Sequence, residues 1–223
     1  MNRPLHGAAH QLTMALRALR GRLGSRRRVR GRGNVIAAGE AVLRGVSIEI
    51  DGDANRIEIL PNARLRDVTI MVEGDGHRLR IGSHVWVGAG AFRFYDRNGT
   101  ILIGERTTIY DAAFGVTEGG TISVGKDCLF SIQVDVRNGD SHSVVDAQTR
   151  ARLNPAADVV IGDHVWVSQR VLILKGSRIG RGSVVAAGAL VAGELPEGSI
   201  SAGVPARPVR TGIDWIRERV PLS

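Results

Sequence analysis

The hydrophobic positions of this chain follow a six-residue period between residues 161 and 203. The first position of six consecutive hexads is always a β-branched aliphatic residue: Ile161, Val167, Ile173, Ile179, Val185 and Val191. An amphipathic helix spaces apolar residues by three and four, and a half-buried strand spaces them by two, so a strict period of six indicates neither element alone. It predicts a solenoid, in which each hexad is one short strand and stacked coils share a narrow aliphatic core.

A longer repeat extends the solenoid towards the N-terminus. Pairs of aliphatic residues separated by one position recur at Ile57/Ile59, Leu79/Ile81, Ile101/Ile103, Ile122/Val124 and Val159/Ile161. The first three steps between pairs are 22, 22 and 21 residues, which is one coil of three hexads plus a few corner residues. The fourth step is 37 residues, so the polar segment 138–158 is expected to leave the solenoid as a loop.

The two ends of the chain depart from this repeat. Four leucines at spacings of four and three predict an amphipathic helix over residues 8–23, and Gly24 is expected to end it. Residues 25–33 are expected to form a basic linker, so the predicted N-terminal region is 1–34 and the predicted solenoid domain is 35–212. The remaining segment, 213–223, is expected to form a short helical tail that caps the open end of the solenoid.

Positive charge is concentrated in the N-terminal region. Residues 1–35 contain nine arginines and no acidic residue, whereas the net charge of the whole chain is +8. Nucleic acid is a disfavoured partner, since no aromatic residues for base stacking alternate with these arginines. We expect the leucine face of this region to pack on the first coil of the solenoid, with peripheral contact to an anionic membrane surface as the alternative.

Composition and hydropathy narrow the class of protein. Aromatic residues make up only 4% of the chain against 43% hydrophobic residues, which favours a thin aliphatic prism. Cys128 is the single cysteine, so a disulfide within the chain is excluded and a reducing compartment is expected. The sequence has neither an apolar run of about eighteen residues nor a pattern typical of a secretory signal. We therefore expect a cytoplasmic protein, with the inner membrane face as a peripheral location.

The hexads resemble those of the left-handed parallel β-helix acyltransferases. Gly139-Asp140-Ser141-His142, followed by Ile161-Gly162-Asp163-His164-Val165-Trp166, resembles the loop and coil of hexapeptide-repeat sugar and capsular polysaccharide O-acetyltransferases. The resemblance implies an all-β, left-handed β-helix that uses acetyl-CoA and no metal ion. It also implies an acceptor hydroxyl on a sugar, of a surface polysaccharide or its precursor, and a homotrimer in which each acetyl-CoA groove lies between two subunits.

His142 is the candidate general base. Acyl transfer from a thioester to a hydroxyl needs a group that removes the hydroxyl proton, and imidazole does this near neutral pH. The resemblance assigns this role to His142 and places Trp166 beside it. A second copy of the coil motif ends at Trp86, which therefore competes with Trp166 for that role. We favour Trp166, because it follows the predicted loop directly.

The resemblance also assigns the binding residues. Those for the pantetheine arm of acetyl-CoA are Gln169, Ala187, Ala192 and Gly193, and those for its phosphates are Arg207 and Arg210. Lys175 matches the same pattern of cofactor contacts, and Asp140 and Asn154 are assigned to the acceptor. Relatives often carry lysine at the position of Gly193, so one phosphate contact is expected to be weaker in this chain.

Three other functions remain open at this point. N-acetylation of an amino sugar would use the same base and co-substrate, and a β-helix without catalysis would serve as a scaffold or binding module. A zinc hydratase of the carbonic anhydrase type shares the fold, but its His-x-x-x-x-His pair is absent after His10. His84 and His164 occupy the same place in the two copies of the coil motif and are expected to be solvent-facing corner residues.

Overall fold

The computed structural model describes residues 24–221 as a solenoid of short strands with three flat faces. Nearly every strand pairs in parallel with the strand one coil before and one coil after it, as a coil repeated along one axis requires. The described residues form no helix, and so none with the length and apolar character of a membrane span. The all-β, parallel fold predicted from the hexads is confirmed.

Residues 24–221 form 23 strands. In chain order they are β1 (Arg26–Arg30), β2 (Val35–Ala37), β3 (Val42–Arg44), β4 (Ser47–Asp51), β5 (Arg56–Ile59), β6 (Arg64–Arg66), β7 (Val68–Glu73), β8 (Arg78–Ile81), β9 (Trp86–Phe94), β10 (Thr100–Ile103), β11 (Thr108–Val116), β12 (Thr121–Val124), β13 (Leu129–Phe130), β14 (Val134–Arg137), β15 (Val159–Ile161), β16 (Trp166–Val167), β17 (Leu172–Ile173), β18 (Arg178–Ile179), β19 (Val184–Val185), β20 (Leu190–Val191), β21 (Glu194–Leu195), β22 (Ser199–Gly203) and β23 (Ala206–Thr211).

Each face collects one strand from every coil. The first face contains β3, β6, β13, β16, β19 and β22, and the second contains β1, β4, β7, β14, β17 and β20. The third face contains β2, β5, β8, β10, β12, β15, β18 and β21. The long strands β9 and β11 turn a corner and belong to both the first and the second face. β23 is the exception to the parallel pattern, because it returns antiparallel to β22.

The hexad residues form the core as predicted. All six aliphatic first positions, from Ile161 to Val191, are buried, and Val167, Ile173 and Val185 are fully enclosed. Their side chains alternate with outward-facing neighbours along each two-residue strand, as the strand period requires. The narrow prism is therefore filled by β-branched side chains that stack from coil to coil.

Phenylalanine fills the wider coils in the middle of the solenoid. All four phenylalanines are buried, at positions 92, 94, 114 and 130. The rings of Phe92 and Phe114 stack at 5.3 Å and 7°, and Phe130 follows at 5.7 Å from Phe114. The thin aliphatic prism favoured by the composition describes the 18-residue coils, whereas Phe92, Phe94 and Phe114 lie in the longer coils of about 22 residues, which enclose more volume.

The predicted loop over residues 138–158 corresponds to the segment between β14 and β15. β14 ends at Arg137 and β15 begins at Val159. The third face nevertheless continues without a gap across the insertion, since Ile122 pairs with Val159. The Thr121 amide also donates to Asp158 Oδ1 at 2.7 Å, although 37 residues separate them. The loop is thus an insertion at one corner of an unbroken stack, between the second and third faces.

The predictions for the two ends are corrected in part. Arg26–Arg30, expected within a linker, forms β1 and pairs in parallel with β4, so the solenoid begins before residue 35. The helix expected over residues 8–23 lies outside the described residues. The tail after β23 contains no helix between residues 213 and 221, because Trp215 and Arg217 are held against the first face in an extended path.

Candidate active site

The loop over residues 138–158 folds as a small hairpin. Val145 and Arg152 form an isolated antiparallel bridge, and the Leu153 amide donates to the Val144 carbonyl at 2.7 Å. At the tip, Asp146 Oδ1 accepts hydrogen bonds from neighbouring groups, including the Thr149 amide at 2.7 Å and its hydroxyl at 2.9 Å. An aspartate that satisfies nearby backbone and hydroxyl donors in this way stabilises a tight turn. The loop therefore has a defined shape although it lacks a continuous strand.

Two ion pairs tie the hairpin to the coils beside it. Glu118 pairs with Arg152 and also accepts a hydrogen bond from the Ala156 amide at 3.2 Å. On the other arm, Asp140 Oδ2 lies 2.6 Å from Lys175 Nζ. The hydrogen bond from Arg152 holds the pKa of Glu118 below its usual value, and that from Lys175 does the same for the pKa of Asp140. Both carboxylates are therefore ionised at neutral pH.

Asn154 holds the segment that carries His142 through three hydrogen bonds. The Asn154 side chain is almost completely enclosed, and its Nδ2 donates to Asp140 Oδ2 and to the His142 carbonyl, each at 2.8 Å. Its Oδ1 accepts the Val144 amide at 2.7 Å. One side-chain amide thus uses both hydrogens and its oxygen to hold the segment that carries His142. The imidazole of His142 itself is exposed.

His142 borders a groove of about 680 Å³ on the second face. Ala113 and Gly115 of β11 form part of the groove lining, and because alanine carries only a methyl group and glycine no side chain, the surface of the sheet is flat there. Arg93 of β9 and Tyr95 also line the groove. Its volume lies within the range of small-molecule sites, and an exposed imidazole at its edge can reach a hydroxyl group of a bound ligand.

Most charged groups in the groove are paired with one another. Arg137 donates Nε and one terminal nitrogen to the two oxygens of Asp135, both at 2.8 Å, and this pairing raises the pKa of Arg137. The Thr117 hydroxyl donates to Asp96 and lowers the pKa of that carboxyl group. Arg93 forms no ion pair with any residue between 24 and 221. Its guanidinium is therefore the one in the groove that can bind an acceptor without first breaking such a pair.

Trp166 lies on a different face from His142. Trp166 is the first residue of β16 on the first face. The residues that pair with one another in successive strands of this face are Trp86, Thr108, Leu129 and Trp166. Trp166 is 37% exposed and does not line the groove that His142 borders. Within one chain, the structure therefore does not bring the two predicted catalytic residues together.

Trp86, the competing tryptophan, packs against another aromatic ring. It meets Tyr110 edge to face at 5.1 Å and lies over Gly88, where an added Cβ would approach the indole to 2.6 Å. Trp86 is only partly exposed, whereas Tyr110 is 52% exposed. Trp86 therefore packs on the outer surface of the first face, away from the groove that His142 borders.

Three comparisons with known proteins bear on this site. A family profile described as bacterial transferase hexapeptide (six repeats) matches residues 158–193. The polysialic acid O-acetyltransferase of Escherichia coli O1:K1 is 32% identical over 117 residues, and that of Neisseria meningitidis is 38% identical over 77 residues. The crystal structure of the polySia specific acetyltransferase NeuO superposes with a TM-score of 0.82, at 30% identity, over 87% of this chain and 90% of that one. The chain belongs to the hexapeptide-repeat acyltransferase family.

The two curated relatives are matched over only part of their length. The aligned segments make up 52% and 34% of this hexapeptide-repeat protein, and 38% and 36% of the Escherichia coli and Neisseria meningitidis relatives.

The predicted acetyl-CoA contacts of this hexapeptide-repeat protein lie along both edges of the second face. Gln169 and Ala187 occupy the corner between the first and second faces, where the Gly188 amide donates to the Gln169 carbonyl at 2.9 Å. Ala192 and Gly193 lie between β20 and β21, at the same edge as the loop. A Cβ at Gly193 would meet no atom within 4 Å, so the backbone there is open to a ligand. In one chain, the four residues thus occupy two opposite edges of the second face.

The two predicted phosphate ligands lie near the end of the solenoid. Arg207 and Arg210 belong to β23, and both side chains are exposed. One terminal nitrogen of Arg207 donates to the Ala206 carbonyl at 2.9 Å, which leaves its other donors free. Two exposed guanidinium groups on one strand suit the phosphates of a nucleotide.

Some residues in and around the site have partners that the sequence did not indicate. Lys175, predicted to contact the cofactor, is paired with Asp140 of the loop. His164, expected to face solvent, is partly enclosed between Asp127 and Trp215. No repeat or motif links residue 215 to residue 164, so the contact between them could not be predicted from the sequence. Residues 24–221 form no group of three or more His, Cys, Asp or Glu side chains that could hold a metal ion.

Proposed function

We propose that this protein is an acetyl-CoA-dependent O-acetyltransferase that acetylates a sugar hydroxyl of a polysaccharide. The observation that carries the proposal is the position of His142, which lies at the edge of an open groove on a chain that aligns with a polySia specific acetyltransferase over 87% of its length. The predicted acetyl-CoA contacts lie along the two edges of that same face.

The chemistry requires one proton to move twice. The neutral imidazole of His142 removes the proton from the acceptor hydroxyl while the hydroxyl oxygen attacks the thioester carbonyl of acetyl-CoA. As the carbon–sulfur bond breaks, the imidazolium of His142 returns the proton to the departing thiolate, so the products are an acetyl ester and free CoA. Exposed imidazole and a fixed backbone suit this role, because the ring must meet two substrates in turn.

A polymeric acceptor is supported by the shape of the second face. The groove is open, and the small side chains of Ala91 and Ala113 continue its flat surface along neighbouring strands. Arg93 supplies a guanidinium that can bind a carboxylate of an acidic sugar, or hydroxyl groups of a neutral one. The similar proteins of Escherichia coli and Neisseria meningitidis are described as polysialic acid O-acetyltransferases, which favours an acidic polymer as the first acceptor to test.

The proposal is tested by following thiol release from acetyl-CoA against a panel of acceptors. The panel contains polysialic acid, a neutral polysaccharide, monomeric sugars and amino sugars. We expect acceptor-dependent thiol release and a product that loses its acetyl group in mild alkali, as an ester does. An alkali-stable product would indicate N-acetylation instead, and no acceptor-dependent release with any of these polymers would contradict the proposal.

A further inference from the structure

We infer that Lys175 is a positioning residue for His142, and that it acts through Asp140 and Asn154. The inference rests on the proposed function, since it takes His142 as the general base. The family resemblance assigned Lys175 to the cofactor and the other two residues to the acceptor. In the structure these three side chains bind one another and the backbone of His142.

Lys175 projects from a rigid part of the solenoid. It lies in the corner between β17 and β18, and its neighbours Ile173 and Ser177 are fully buried. The Ser177 hydroxyl donates to the Val191 carbonyl of the next coil at 3.1 Å. The side chain of Lys175 is only 26% exposed, so its ammonium is held close to the corner rather than extended into solvent. The solenoid thus presents a fixed cation to the loop.

Asp140 and Asn154 connect the Lys175 ammonium to the backbone of His142 by hydrogen bonds. Asp140 Oδ2 accepts one hydrogen bond from Lys175 at 2.6 Å and another from Asn154 at 2.8 Å. The second hydrogen of the Asn154 amide is donated to the His142 carbonyl at 2.8 Å. Without the ammonium, the partly exposed Asp140 carboxylate would turn towards water, and Asn154 would lose the acceptor that orients it.

The hairpin as a whole does not depend on Lys175. Arg152 pairs with Glu118, and the Ala156 amide donates to the same carboxylate, so the returning arm is tied to the coil independently. Arg152 also donates to the Asn154 carbonyl at 3.2 Å. Removal of Lys175 therefore disturbs the position of His142 more than the folding of the loop. A small misplacement of a general base lowers the rate of proton transfer while substrate binding is retained.

The chain offers a matched control for this test, because its only other lysine is Lys126. Lys126 pairs with Glu105 at 3.4 Å in the corner between the third and first faces, away from the loop. We expect Lys175→Met to lower kcat by about tenfold and to change the KM for acetyl-CoA by less than about twofold. Lys126→Met should leave both values unchanged, and Lys175→Arg should restore kcat to within about threefold of the wild type. A raised KM for acetyl-CoA with unchanged kcat would overturn the inference in favour of a cofactor contact.

A double variant tests whether Lys175 and Asp140 act in one chain of contacts. We expect the double variant Asp140→Asn/Lys175→Met to have about the same kcat as the less active of the two single variants, since each change breaks the same link. Additive losses of kcat would show that the two residues act separately and would contradict the inference.

Hydrogen exchange gives a readout that does not need the reaction. The Val144 amide donates to Asn154 Oδ1, so its exchange should accelerate at least about fivefold in Lys175→Met and stay unchanged in Lys126→Met. Equal exchange in both variants would refute the positioning role. If neither the wild type nor any variant released thiol with any acceptor, the proposed function would fail, while this exchange measurement would still decide whether Lys175 orders the His142 segment.

Discussion

Trp215 lies parallel to His164, with ring centroids 4.2 Å apart and an angle of 8° between the planes. The Trp215 indole N–H donates to the His164 carbonyl at 2.8 Å, and His164 Nε2 lies 2.8 Å from the Trp215 carbonyl. His164 Nδ1 lies 2.8 Å from Asp127, which also pairs with Arg217 at 3.0 Å. The tail therefore folds back over the first face and joins two coils through one closed set of contacts.

We expect Trp215→Ala to destabilise the protein without disturbing the coils themselves. Trp215 is 7% exposed, and truncation of a buried tryptophan costs about 3 to 5 kcal/mol. Thermal unfolding followed by circular dichroism should show a lower Tm. Ile216→Ala is the matched control, because Ile216 is 55% exposed and its truncation should change the Tm little. Equal Tm values for the two variants would show that the tail contributes nothing to stability.

His142→Ala is expected to lower kcat by at least about a hundredfold, because loss of a general base leaves only substrate positioning and charge stabilisation. Circular dichroism should be unchanged, since the exposed imidazole supports no buried group. His84→Ala is a suitable control, since His84 is also exposed but lies in a corner before Trp86. A variant that kept its turnover at saturating acceptor would remove His142 from the mechanism.

Arg207→Ala should act on acetyl-CoA binding rather than on the chemical step. A charge-assisted hydrogen bond contributes roughly 1.5 to 3 kcal/mol, so the KM for acetyl-CoA should rise by about ten- to a hundredfold while kcat changes much less. Steady-state kinetics with acetyl-CoA and with dephospho-acetyl-CoA would locate the contact further. Unaltered affinity for both molecules would show that this arginine does not bind the phosphates.

The separation of Trp166 from His142 predicts that a complete site needs two copies of the chain. If Trp166 acts at the groove, it must come from the first face of a neighbouring subunit, as in a closed ring of identical contacts. Co-expression of His142→Ala with Trp166→Ala chains should then recover about a quarter of the wild-type activity, because one interface in four carries both intact residues. Each variant alone should be nearly inactive. Absence of recovery in mixed oligomers, or full activity in a monomer near 23.9 kDa, would contradict a shared site.

The sequence predicted those features that repeat and missed those that depend on single contacts. The hexads from Ile161 to Val191 and the 37-residue step to the loop follow from the period alone, so fold and loop could be placed. β1 escaped prediction because its pattern is almost entirely charged, and only pairing with β4 makes it a strand. The ion pair between Lys175 and Asp140 escaped prediction for a related reason. A motif can suggest a role for a lysine, but it does not show which carboxylate the ammonium pairs with.

His77 occupies the position that Asn55 holds one coil earlier, in a series of buried hydrogen bonds between coils. The Asn55 side chain accepts the His77 amide at 2.8 Å, and His77 Nδ1 accepts the Gly99 amide at 3.0 Å. Because Nδ1 must accept a hydrogen bond, the ring proton belongs on Nε2, which faces the Glu73 carbonyl at 3.3 Å. Burial lowers the pKa of His77 from its usual value of 6.5, so the folded protein keeps this ring neutral.

This arrangement predicts a loss of stability in mild acid. The unfolded chain binds a proton at His77 as the pH falls below about 6.5, whereas the folded chain does so only at lower pH. The stabilisation is complete above 6.5 and decreases below it, by up to about 1.4 kcal/mol per pH unit until the folded pKa is reached. Denaturant unfolding between pH 5 and 7.5 should show this slope in the wild type. In His77→Asn the amide oxygen can still accept the Gly99 amide and has no proton to gain, so the slope should decrease. An identical pH dependence in both proteins would assign it to other groups.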